Sequence, residues 1–410
     1  MARIFPFQPY RYTAQAGALE DLVTQPYDKI TAAMKSSYLA RSPHNLVRVV
    51  LGERYPTDTA ADNVYTRAAA YLRTWIEGGI LAREAEPGVF PYFQEFTVPD
   101  TGERLVRQGF IALGAVEDYA AGVVHRHEQT FSGPKKDRLE LLRATHAHCG
   151  QIFMLYADPA GAIDRLLEKA AQATPLADMT DEYGARHRVW KITAAERIQQ
   201  LMSDKKLLIA DGHHRYETAL AFRQENPELP GADRVMMTFV NMHSPGLKIL
   251  ATHRLVSGIP AGELPEGFLR AAAGEFEVDE IDTVAALQQS WAERPERTVI
   301  GAAIGERLFR LESRTARGVL DVRVLHEVLL GRVLGISEEA VREEQHLRYA
   351  RGLEQALAEA RQGAAQIAFL LKPTRIEQVA QTSFGGGVMP QKSTDFYPKL
   401  LSGLTIYKLD

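Results

Sequence analysis

The sequence has one cysteine, Cys149, among its 410 residues. A single cysteine excludes an intrachain disulfide and a cysteine-rich zinc site, and it is typical of a protein that works in a reducing compartment. The sequence also has no apolar run near the roughly 20 residues that a membrane span requires, and its N-terminus lacks the apolar core of a secretory signal. We therefore expect a cytoplasmic protein that is neither exported nor embedded in a membrane.

An excess of charge of one sign is also missing. The chain has 48 Lys and Arg residues against 52 Asp and Glu residues, a net charge of -4, so no overall basic field exists to hold a nucleic acid. Hydrophobic residues make up 45% and charged residues 24%, which is ordinary for a globular protein. We expect a multi-lobed, enzyme-sized protein, because 410 residues exceed one ordinary hydrophobic core. Since the charge balance does not favour nucleic acid, we expect its partners to be small molecules.

Strand and helix signals alternate along the chain and predict an α+β fold. The stretches at 89–98 and 105–116 are typical of two strands joined by a turn, and the β-branched run at 45–51 also predicts a strand. Helical spacing with a terminal glycine predicts a helix from Thr59 to Gly78. We divide the chain into an N-terminal α+β lobe (1–180), a central unit (185–258) and a C-terminal α/β region with a closing segment (262–410).

The central segment with the strongest chemical signal is Asp211-Gly212-His213-His214-Arg215, which follows a buried strand signal at 206–210 and precedes a helix predicted from Tyr216. The glycine lets the backbone approach a ligand closely, and the start of the helix offers unpaired N–H groups to an anion. Arginine provides a planar fork for phosphate oxygens, and the two histidines add donors. The segment predicts a phosphate or nucleotide pocket. The alternative is that Asp211 caps the helix while the histidines pack at a surface.

A second polar segment, 125–138, begins as a loop and becomes an amphipathic helix after Pro134. Lys135 and Arg138 lie in the first turn of that helix, where cations oppose the helix dipole, which indicates that they serve a bound anion. Glu128 or His125 is a candidate base, and Thr130 offers a hydroxyl, a combination that phosphoryl transfer uses. A solvated, charged helix start is the alternative.

Three further features are weaker. Lys392 follows the glycine-rich turn at 385–387 and could close over a phosphate, although the GxxxxGK[ST] spacing is absent. Arg48 is an arginine in an apolar run and needs an anionic partner, unless it only makes structural hydrogen bonds. Adjacent histidines in a turn rarely point at one ion, so we predict no protein-held metal; Asp211 and Glu128 are instead hard oxygen ligands for Mg2+ carried on nucleotide phosphates.

Over nearly its whole length the chain resembles a bacterial and archaeal family known as domain of unknown function 1015. The matching blocks are QPYDKI (25–30), NLVRVVLGE (45–53), HEQT (127–130), PKKDRLELLRAT (134–145), ADGHHRYETAL (210–220), VNMHSPGLKILATHRLV (240–256), RYARGLEQAL (348–357) and MPQKSTDFYPKL (389–400). This resemblance identifies a family but implies no settled activity.

The block LLIADGHHRYETAL also looks like the phosphate-binding turn of the group that contains chromosome-partition protein B (ParB), sulfiredoxin and the free-serine kinases. The resemblance implies a central ParB/sulfiredoxin-like mixed-sheet unit in which residues 212–215 hold phosphate and Asp211 lies beside the metal or the acceptor. Sulfiredoxin activity requires a reactive cysteine at this turn, where Gly212 and His213 stand instead. Partition proteins add a helix-turn-helix and a basic surface, which the sequence lacks. A kinase acting on a small hydroxylated metabolite such as serine is the remaining analogue at the level of the fold.

The first hypothesis is thus a nucleotide-dependent phosphotransferase that uses ATP or ADP with Mg2+. Gly212, His213, His214, Arg215, Lys135, Arg138 and Lys392 would bind phosphate, Glu128, Asp211 and His213 would act in catalysis, and Arg48, His125 and Thr130 would bind the substrate. The alternatives are a nucleotide-binding regulatory switch without turnover and a metal-dependent phosphoesterase. The oligomeric state stays open, as does the question of whether the segments 125–138 and 385–400 meet the turn at 211–215.

Overall fold

Helices and strands alternate along the chain, and a computed structural model describes residues 1–128, 132–260 and 264–409. The chain divides into two compact units. The first consists of Met1–Val98, Gly102–Lys248 and Pro398–Asp410, and the second of Pro99–Thr101 and Ile249–Tyr397. The predicted α+β class is confirmed, since the main sheet of the first unit combines parallel and antiparallel pairs and carries helices.

The strands in chain order are β1 Ile4–Phe5, β2 Tyr10–Tyr12, β3 Leu81–Arg83, β4 Phe90–Thr97, β5 Arg104–Ala115, β6 Val124–His125, β7 Ala147–His148, β8 Ile152–Tyr156, β9 Ala177–Thr180, β10 Arg186–Val189, β11 Leu207–Asp211, β12 Arg234–Asn241, β13 Lys248–Leu250, β14 Thr252–Val256, β15 Phe276–Ile281, β16 Arg297–Ile304, β17 Arg307–Arg317, β18 Leu347–Arg351, β19 Ile367–Leu370, β20 Asp395–Tyr397 and β21 Tyr407–Lys408.

The helices in chain order are α1 Ala32–Arg41, α2 Val47–Val50, α3 Val64–Glu77, α4 Ser132–Thr145, α5 Ala162–Ala170, α6 Glu196–Met202, α7 His213–Glu225, α8 Glu266–Ala272, α9 Val284–Glu293, α10 Asp321–Val324, α11 Glu338–Arg342, α12 Leu353–Arg361 and α13 Ile376–Phe384. A π-helical stretch, Leu325–Val333, continues from α10. Within the described residues, no helix combines the length and the apolar character that crossing a membrane requires.

The main sheet of the first unit has the strand order β6-β11-β8-β12-β5-β4-β10-β9, and β1 also pairs with β5. Strand β12 lies between β8 and β5, parallel to the former and antiparallel to the latter. The segments 1–180 and 185–258, which the sequence analysis separated, therefore contribute strands to one sheet, because long-range pairing places β12 among strands from earlier in the chain.

Two elements predicted from the sequence can be compared with the structure. The hairpin is confirmed, since β4 and β5 pair antiparallel with Phe90 opposite Ile111. The predicted strand at 45–51 is wrong, because Val47–Val50 is a short helix. At the start of this helix the N–H of Val47 donates to Asn45 Oδ1 at 2.9 Å. Val47, Val49 and Val50 are all buried, and a fully buried helix cannot be told from a buried strand by its apolar pattern.

The core of the first unit forms where apolar residues of the main sheet meet its helices. Ile209 of β11 and Met154 of β8 pack in one cluster with Tyr216 and Ala219 of α7, so the strand and the helix on either side of the 211–215 segment are both fixed by burial. The second unit has its own antiparallel six-stranded sheet, β15-β17-β16-β19-β14-β18, whose core includes Leu287 of α9 and Leu357 of α12.

Candidate functional site

The turn between β11 and α7 depends on Gly212. Its backbone is left-handed, with φ 95° and ψ 27°, and it precedes the first residue of α7. A Cβ atom at this position would lie 3.0 Å from Arg215 Nη2, so a side chain here would meet both backbone strain and the arginine. The helix begins at His213, earlier than predicted, and no side chain caps it; His213, His214 and Arg215 form its first turn.

Asp211, the last residue of β11, pairs with two cations. Arg215 Nη2 donates to Asp211 Oδ2 at 2.7 Å, and Lys399 Nζ lies 3.6 Å from Asp211 Oδ1. Burial alone would raise the pKa of Asp211, but the charges of Lys399, Arg215 and Lys29 hold that pKa well below its usual range. The carboxylate is therefore ionised at neutral pH and keeps Arg215 pointing back over the turn.

Arg215 also lines a cleft that opens to solvent, and the space in the cleft and at its solvent-filled mouth together amounts to about 600 Å³. Its Nη1 donates to the backbone oxygen of Gln151, which fixes the second half of the guanidinium. Polar lining comes from Tyr27, Arg138, His148, Cys149, Arg215, Thr218 and Ser402, and apolar lining from Pro26, Val50, Leu141, Leu142, Ala147 and Val235. The cleft thus lies on the Arg215 side of the turn and is partly apolar.

Arg138 is the second cation of the cleft. Its guanidinium carbon lies 4.2 Å above the centre of the Tyr27 ring, its Nη1 donates to Val50 O at 2.7 Å, and its Nε donates to Asp137 Oδ2 at 2.9 Å. Arg138 and Arg215 are the charged residues that line the cleft, and no carboxylate does so within the part of the chain that the structure describes. The lining is therefore suited to an anion.

His213 points into packed protein. It is 5% exposed, its ring centre lies 4.7 Å from that of His127 with the planes at 76°, and its Nε2 accepts from the backbone N–H of His127 at 3.5 Å. Burial, and then the neighbouring His127, lower the pKa of His213 well below its usual value. The imidazole is consequently neutral, and it is not part of the cleft lining.

The loop at 125–128 and the start of α4 do meet α7, which answers a question that the sequence left open. Lys135 Nζ donates to Glu217 Oε2 at 2.8 Å, and Arg126 Nη1 donates to Glu217 Oε1 at 3.2 Å. Burial lowers the pKa of the nearby His214, although the charge of Glu217 raises it. Lys135 is thus engaged by a carboxylate of α7 that precedes the cleft-lining Thr218 in the sequence.

Glu128 and His125 flank this contact. Glu128 Oε1 lies 3.9 Å from His127 Nε2, and His127 Nδ1 donates to Ile209 O at 2.8 Å, next to the turn. His125 is part of β6, which pairs with β11, and its Nε2 donates to Gly122 O at 3.1 Å. His125 pairs with Leu208 of β11, and Glu128 contacts His127. Neither predicted residue lines the cleft.

The remaining predicted residues are Arg48, Lys392 and Thr130. Arg48 is in α2, where its Nη2 donates to Leu39 O at 3.0 Å, and it does not line the cleft. Lys392 belongs to the second unit, where its carbonyl accepts from Arg254 Nη2 at 2.9 Å. Thr130 lies outside the described residues. Across the described parts of the chain, no three His, Cys, Asp or Glu residues are grouped in a way that could hold a metal ion.

Several residues of the site were missed or only touched on by sequence reasoning. Lys399 reaches Asp211 from the end of the chain, and Tyr27, His148 and Cys149 line the cleft. Tyr27 and Lys399 lie in the blocks QPYDKI and MPQKSTDFYPKL, so the resemblance held a signal for them. His148 and Cys149 follow the block that ends at Thr145 and had no such signal.

Comparison with known proteins places the chain in a family. It belongs to the family described as Protein of unknown function (DUF1015), whose model matches residues 4–328. No curated protein matches the chain.

Solved structures give distant resemblances. A free serine kinase variant in complex with ADP is 16% identical, covers 69% of this chain and 89% of its own, and has a TM-score of 0.36. A conserved hypothetical protein from Pyrococcus furiosus is 16% identical, with 69% and 92% coverage and a TM-score of 0.35. SbnI from Staphylococcus aureus is 11% identical, with 72% and 87% coverage and a TM-score of 0.37. Resemblance at this distance does not carry function.

Proposed function

We propose that the protein binds a nucleotide or another phosphorylated ligand in the cleft beside α7 and transfers a phosphoryl group to a small hydroxylated metabolite such as serine. The observation that supports this proposal is the cleft itself, whose charged lining consists of Arg138 and Arg215. It lies next to a glycine turn at the N-terminus of a 13-residue helix. Guanidinium groups beside a helix N-terminus form a favourable environment for phosphate.

The other residues have roles that follow from their places around the turn. Lys399 and Arg215, both paired with Asp211, would neutralise charge that develops on the transferred group. The ionised Asp211 would hold Mg2+ carried by ATP or ADP, or orient the acceptor hydroxyl. Lys135 and Glu128 would act from the neighbouring loop. Positioning and electrostatic stabilisation would supply most of the rate.

The test begins with binding. Calorimetric titration with ATP, ADP, AMP and inorganic phosphate measures affinity in the wild type, in Arg215→Gln and in Arg143→Gln. Arg143 is a matched control because it lies on α4 with a side chain 42% exposed and pairs with Glu225. We expect Arg215→Gln to weaken binding at least tenfold, the usual consequence of losing a charged hydrogen-bond donor, and Arg143→Gln to leave it unchanged.

The second step asks for turnover. The nucleotide that binds is incubated with Mg2+ and a set of hydroxylated metabolites that includes serine, and new phosphate esters are sought by phosphorus NMR. A product that requires the wild-type Arg215 supports the phosphotransferase. No nucleotide or phosphate binding, or equal binding by Arg215→Gln, would overturn the proposed site.

One observation favours a second candidate, a nucleotide-binding switch without turnover. The candidate bases Glu128 and Asp211 do not line the cleft, so a ligand there has no carboxylate base beside it within the described residues. For a switch, nucleotide should protect the chain from limited proteolysis while no metabolite is phosphorylated. Protection together with product formation would exclude this candidate.

A further inference from the structure

The proposed function assigns the phosphate of the ligand to the two arginines of the cleft, but it assigns no residue to the rest of the ligand. His148 is the residue that could bind that part. His148 lines the cleft as part of β7. Its ring stacks on Tyr407, with centroids 6.0 Å apart and planes at 6°. The backbones of the same two residues pair across β7 and β21. The imidazole is therefore held in place by both its ring face and its strand.

The two ring nitrogens of His148 are not used for this positioning. They make no hydrogen bond with any residue of the described parts of the chain, and the ring is held by its stacking on Tyr407. Burial lowers the pKa of His148 to about 4, so the ring is neutral at pH 7. A neutral imidazole has one nitrogen that accepts a hydrogen bond and one that donates, and it adds no charge to the cleft.

The positive charge of the cleft lining restricts which groups the ligand can carry besides its phosphate. Arg138 and Arg215 supply this charge, and each is paired with a carboxylate, Asp137 or Asp211, that does not itself line the cleft. An ammonium group in the cleft would therefore face guanidinium groups and, among the described residues, no lining carboxylate. The apolar side chains of Val50, Leu141 and Leu142 offer contact to a short carbon skeleton. A ligand that fits the two arginines, the apolar side chains and the His148 ring carries an anionic group, a few carbons and a hydroxyl group, and it has no ammonium group.

Resting on the proposed phosphate site, we propose that the cleft takes a hydroxylated phosphate ester, with its phosphate on Arg138 and Arg215 and a hydroxyl group hydrogen-bonded to His148. This assignment narrows the class of ligand, because a free amino acid such as serine then belongs outside this cleft. It also gives His148 a direct ligand contact that the sequence motifs did not indicate.

The test compares two matched esters by calorimetric titration. Glycerol 3-phosphate carries hydroxyl groups, and propyl phosphate has the same phosphate and chain length without them; inorganic phosphate and serine complete the set. In the wild type we expect glycerol 3-phosphate to bind about five- to tenfold more tightly than propyl phosphate, the effect of one hydrogen bond of about 1 kcal/mol, and serine not to bind.

Two variants locate that preference. His148→Phe keeps an aromatic ring to stack on Tyr407 and should lose the preference for the hydroxylated ester while binding propyl phosphate as before. His148→Gln keeps a hydrogen-bonding group and should therefore retain part of the preference for the hydroxylated ester. A purely structural role of His148 would instead weaken both esters equally in both variants. Melting curves of each variant verify the fold, and His148→Gln serves if His148→Phe does not fold.

The outcomes separate the two proposals. Equal binding of the two esters by the wild type, a preference that survives in His148→Phe, or binding of serine as tight as that of glycerol 3-phosphate would overturn this inference alone. Phosphate and propyl phosphate would still bind in those cases, and the proposed anion site would stand. Failure of the two esters, inorganic phosphate and the nucleotides alike to bind the wild type would overturn both.

Discussion

At the scale of single residues, the Asp211 carboxylate is the centre of the site because it faces Arg215 at 2.7 Å and Lys399 at 3.6 Å. The side chains of Asp211, Arg215 and Lys399 are 22%, 14% and 10% exposed, so water screens these pairs only partly. A phosphate that enters the cleft meets a guanidinium already held by a carboxylate. Asp211 therefore orients Arg215 and would also compete for it with the proposed phosphate ligand.

This arrangement predicts that the effects of changing Asp211 and Arg215 on stability are coupled. Arg215→Gln should destabilise the fold by about 1–3 kcal/mol, because it leaves a mostly buried carboxylate with less compensation. Asp211→Asn/Arg215→Gln should recover part of that loss, since both charges are gone. Urea unfolding measures the free energies, and Arg143→Gln should change stability by less than about 0.5 kcal/mol. A double variant whose loss equals the sum of the single losses would contradict the coupling.

In the second unit, the buried carboxyl of Asp321 should make the stability of the fold depend on pH. Burial raises the pKa of Asp321 to about 6, against the lowering effect of Lys372, whose Nζ lies 3.4 Å from Oδ2. Because the folded pKa exceeds the unfolded one, the folded state holds a proton that the unfolded chain has released between about pH 4 and 6. Stability should therefore fall as pH rises through this window and stay lower above it.

Asp321→Asn removes this titration. Relative to the wild type, its unfolding free energy should rise by about 2 kcal/mol between pH 4 and pH 7, the size expected for a buried carboxyl with this pKa. Thermal or urea unfolding at several pH values measures the difference, with the exposed Asp282→Asn as control. A difference that stays constant across the pH range, or that changes in the opposite direction, would rule out Asp321 as the titrating group.

At the scale of elements, the β11–α7 turn ties a backbone conformation to the position of a guanidinium. Gly212→Ala places a side chain at φ 95° and 3.0 Å from Arg215 Nη2. Gly184→Ala is a matched control, because Gly184 has φ 80° but nothing within 4 Å of its Cβ position. The control should cost about 1 kcal/mol of stability from the left-handed conformation alone.

Gly212→Ala should cost more than the control and should also weaken phosphate binding, since Arg215 must move away from the added methyl group. Urea unfolding and phosphate titration of both variants measure the two effects. If Gly212→Ala loses no more stability than Gly184→Ala and binds phosphate normally, Arg215 accommodates the methyl group and the close approach has no functional weight.

The same elements show how far the sequence leads. The β4–β5 hairpin and α3 are predictable because turn residues between two strand runs, and helical spacing that ends at a glycine, are local signals. The structure adds an N-cap that was not predicted, since Asn63 Oδ1 accepts from the N–H of Thr66 at the start of α3. The position of β12 between β8 and β5 is not, because strand order depends on long-range pairing. The run at 45–51 fails as a strand because tertiary burial outweighs β-propensity.

The candidate site divides in the same way. The Gly212 turn and Arg215 are predictable, because a glycine between a strand and a helix marks a tight turn that a side chain would strain. The burial of His213 against His127 is not, because which face of α7 packs on the loop is decided by the tertiary fold. Lys399 could not be assigned to Asp211 from spacing, since the two residues belong to segments that only the fold brings together.

At the scale of the whole molecule, the chain returns to the first unit after completing the second. The returning residues, 398–410, carry Lys399 to Asp211 and Ser402 to the cleft. Buried side chains bind their backbone: Arg107 Nη2 donates to Pro398 O at 2.6 Å, and Gln94 Nε2 donates to Lys399 O at 2.8 Å. Gln94 and Arg107 are each 1% exposed, so these hydrogen bonds form away from water.

Arg107 is therefore predicted to set the position of Lys399. Burial lowers the pKa of Arg107 to about 10, which leaves it charged at pH 7, and its Nε donates to Gln94 Oε1 at 3.0 Å. Arg107→Met keeps most of the volume but leaves the carbonyl of Pro398 and the amide oxygen of Gln94 without this donor. We expect a loss of about 2–4 kcal/mol in unfolding free energy, and earlier cleavage after residue 397 in limited proteolysis.

Phosphate binding distinguishes positioning from simple destabilisation. If Arg107 acts through Lys399, Arg107→Met and Lys399→Met should weaken phosphate binding by similar factors, and the double variant should bind no more weakly than Lys399→Met alone, since the second change removes a group that the first has already displaced. Arg104→Met on the same strand, with a side chain 77% exposed, should leave both stability and affinity unchanged. Additive losses in the double variant would mean that Arg107 supports the site independently of Lys399, and normal phosphate binding in folded Arg107→Met protein would mean that the returning segment holds its place without it.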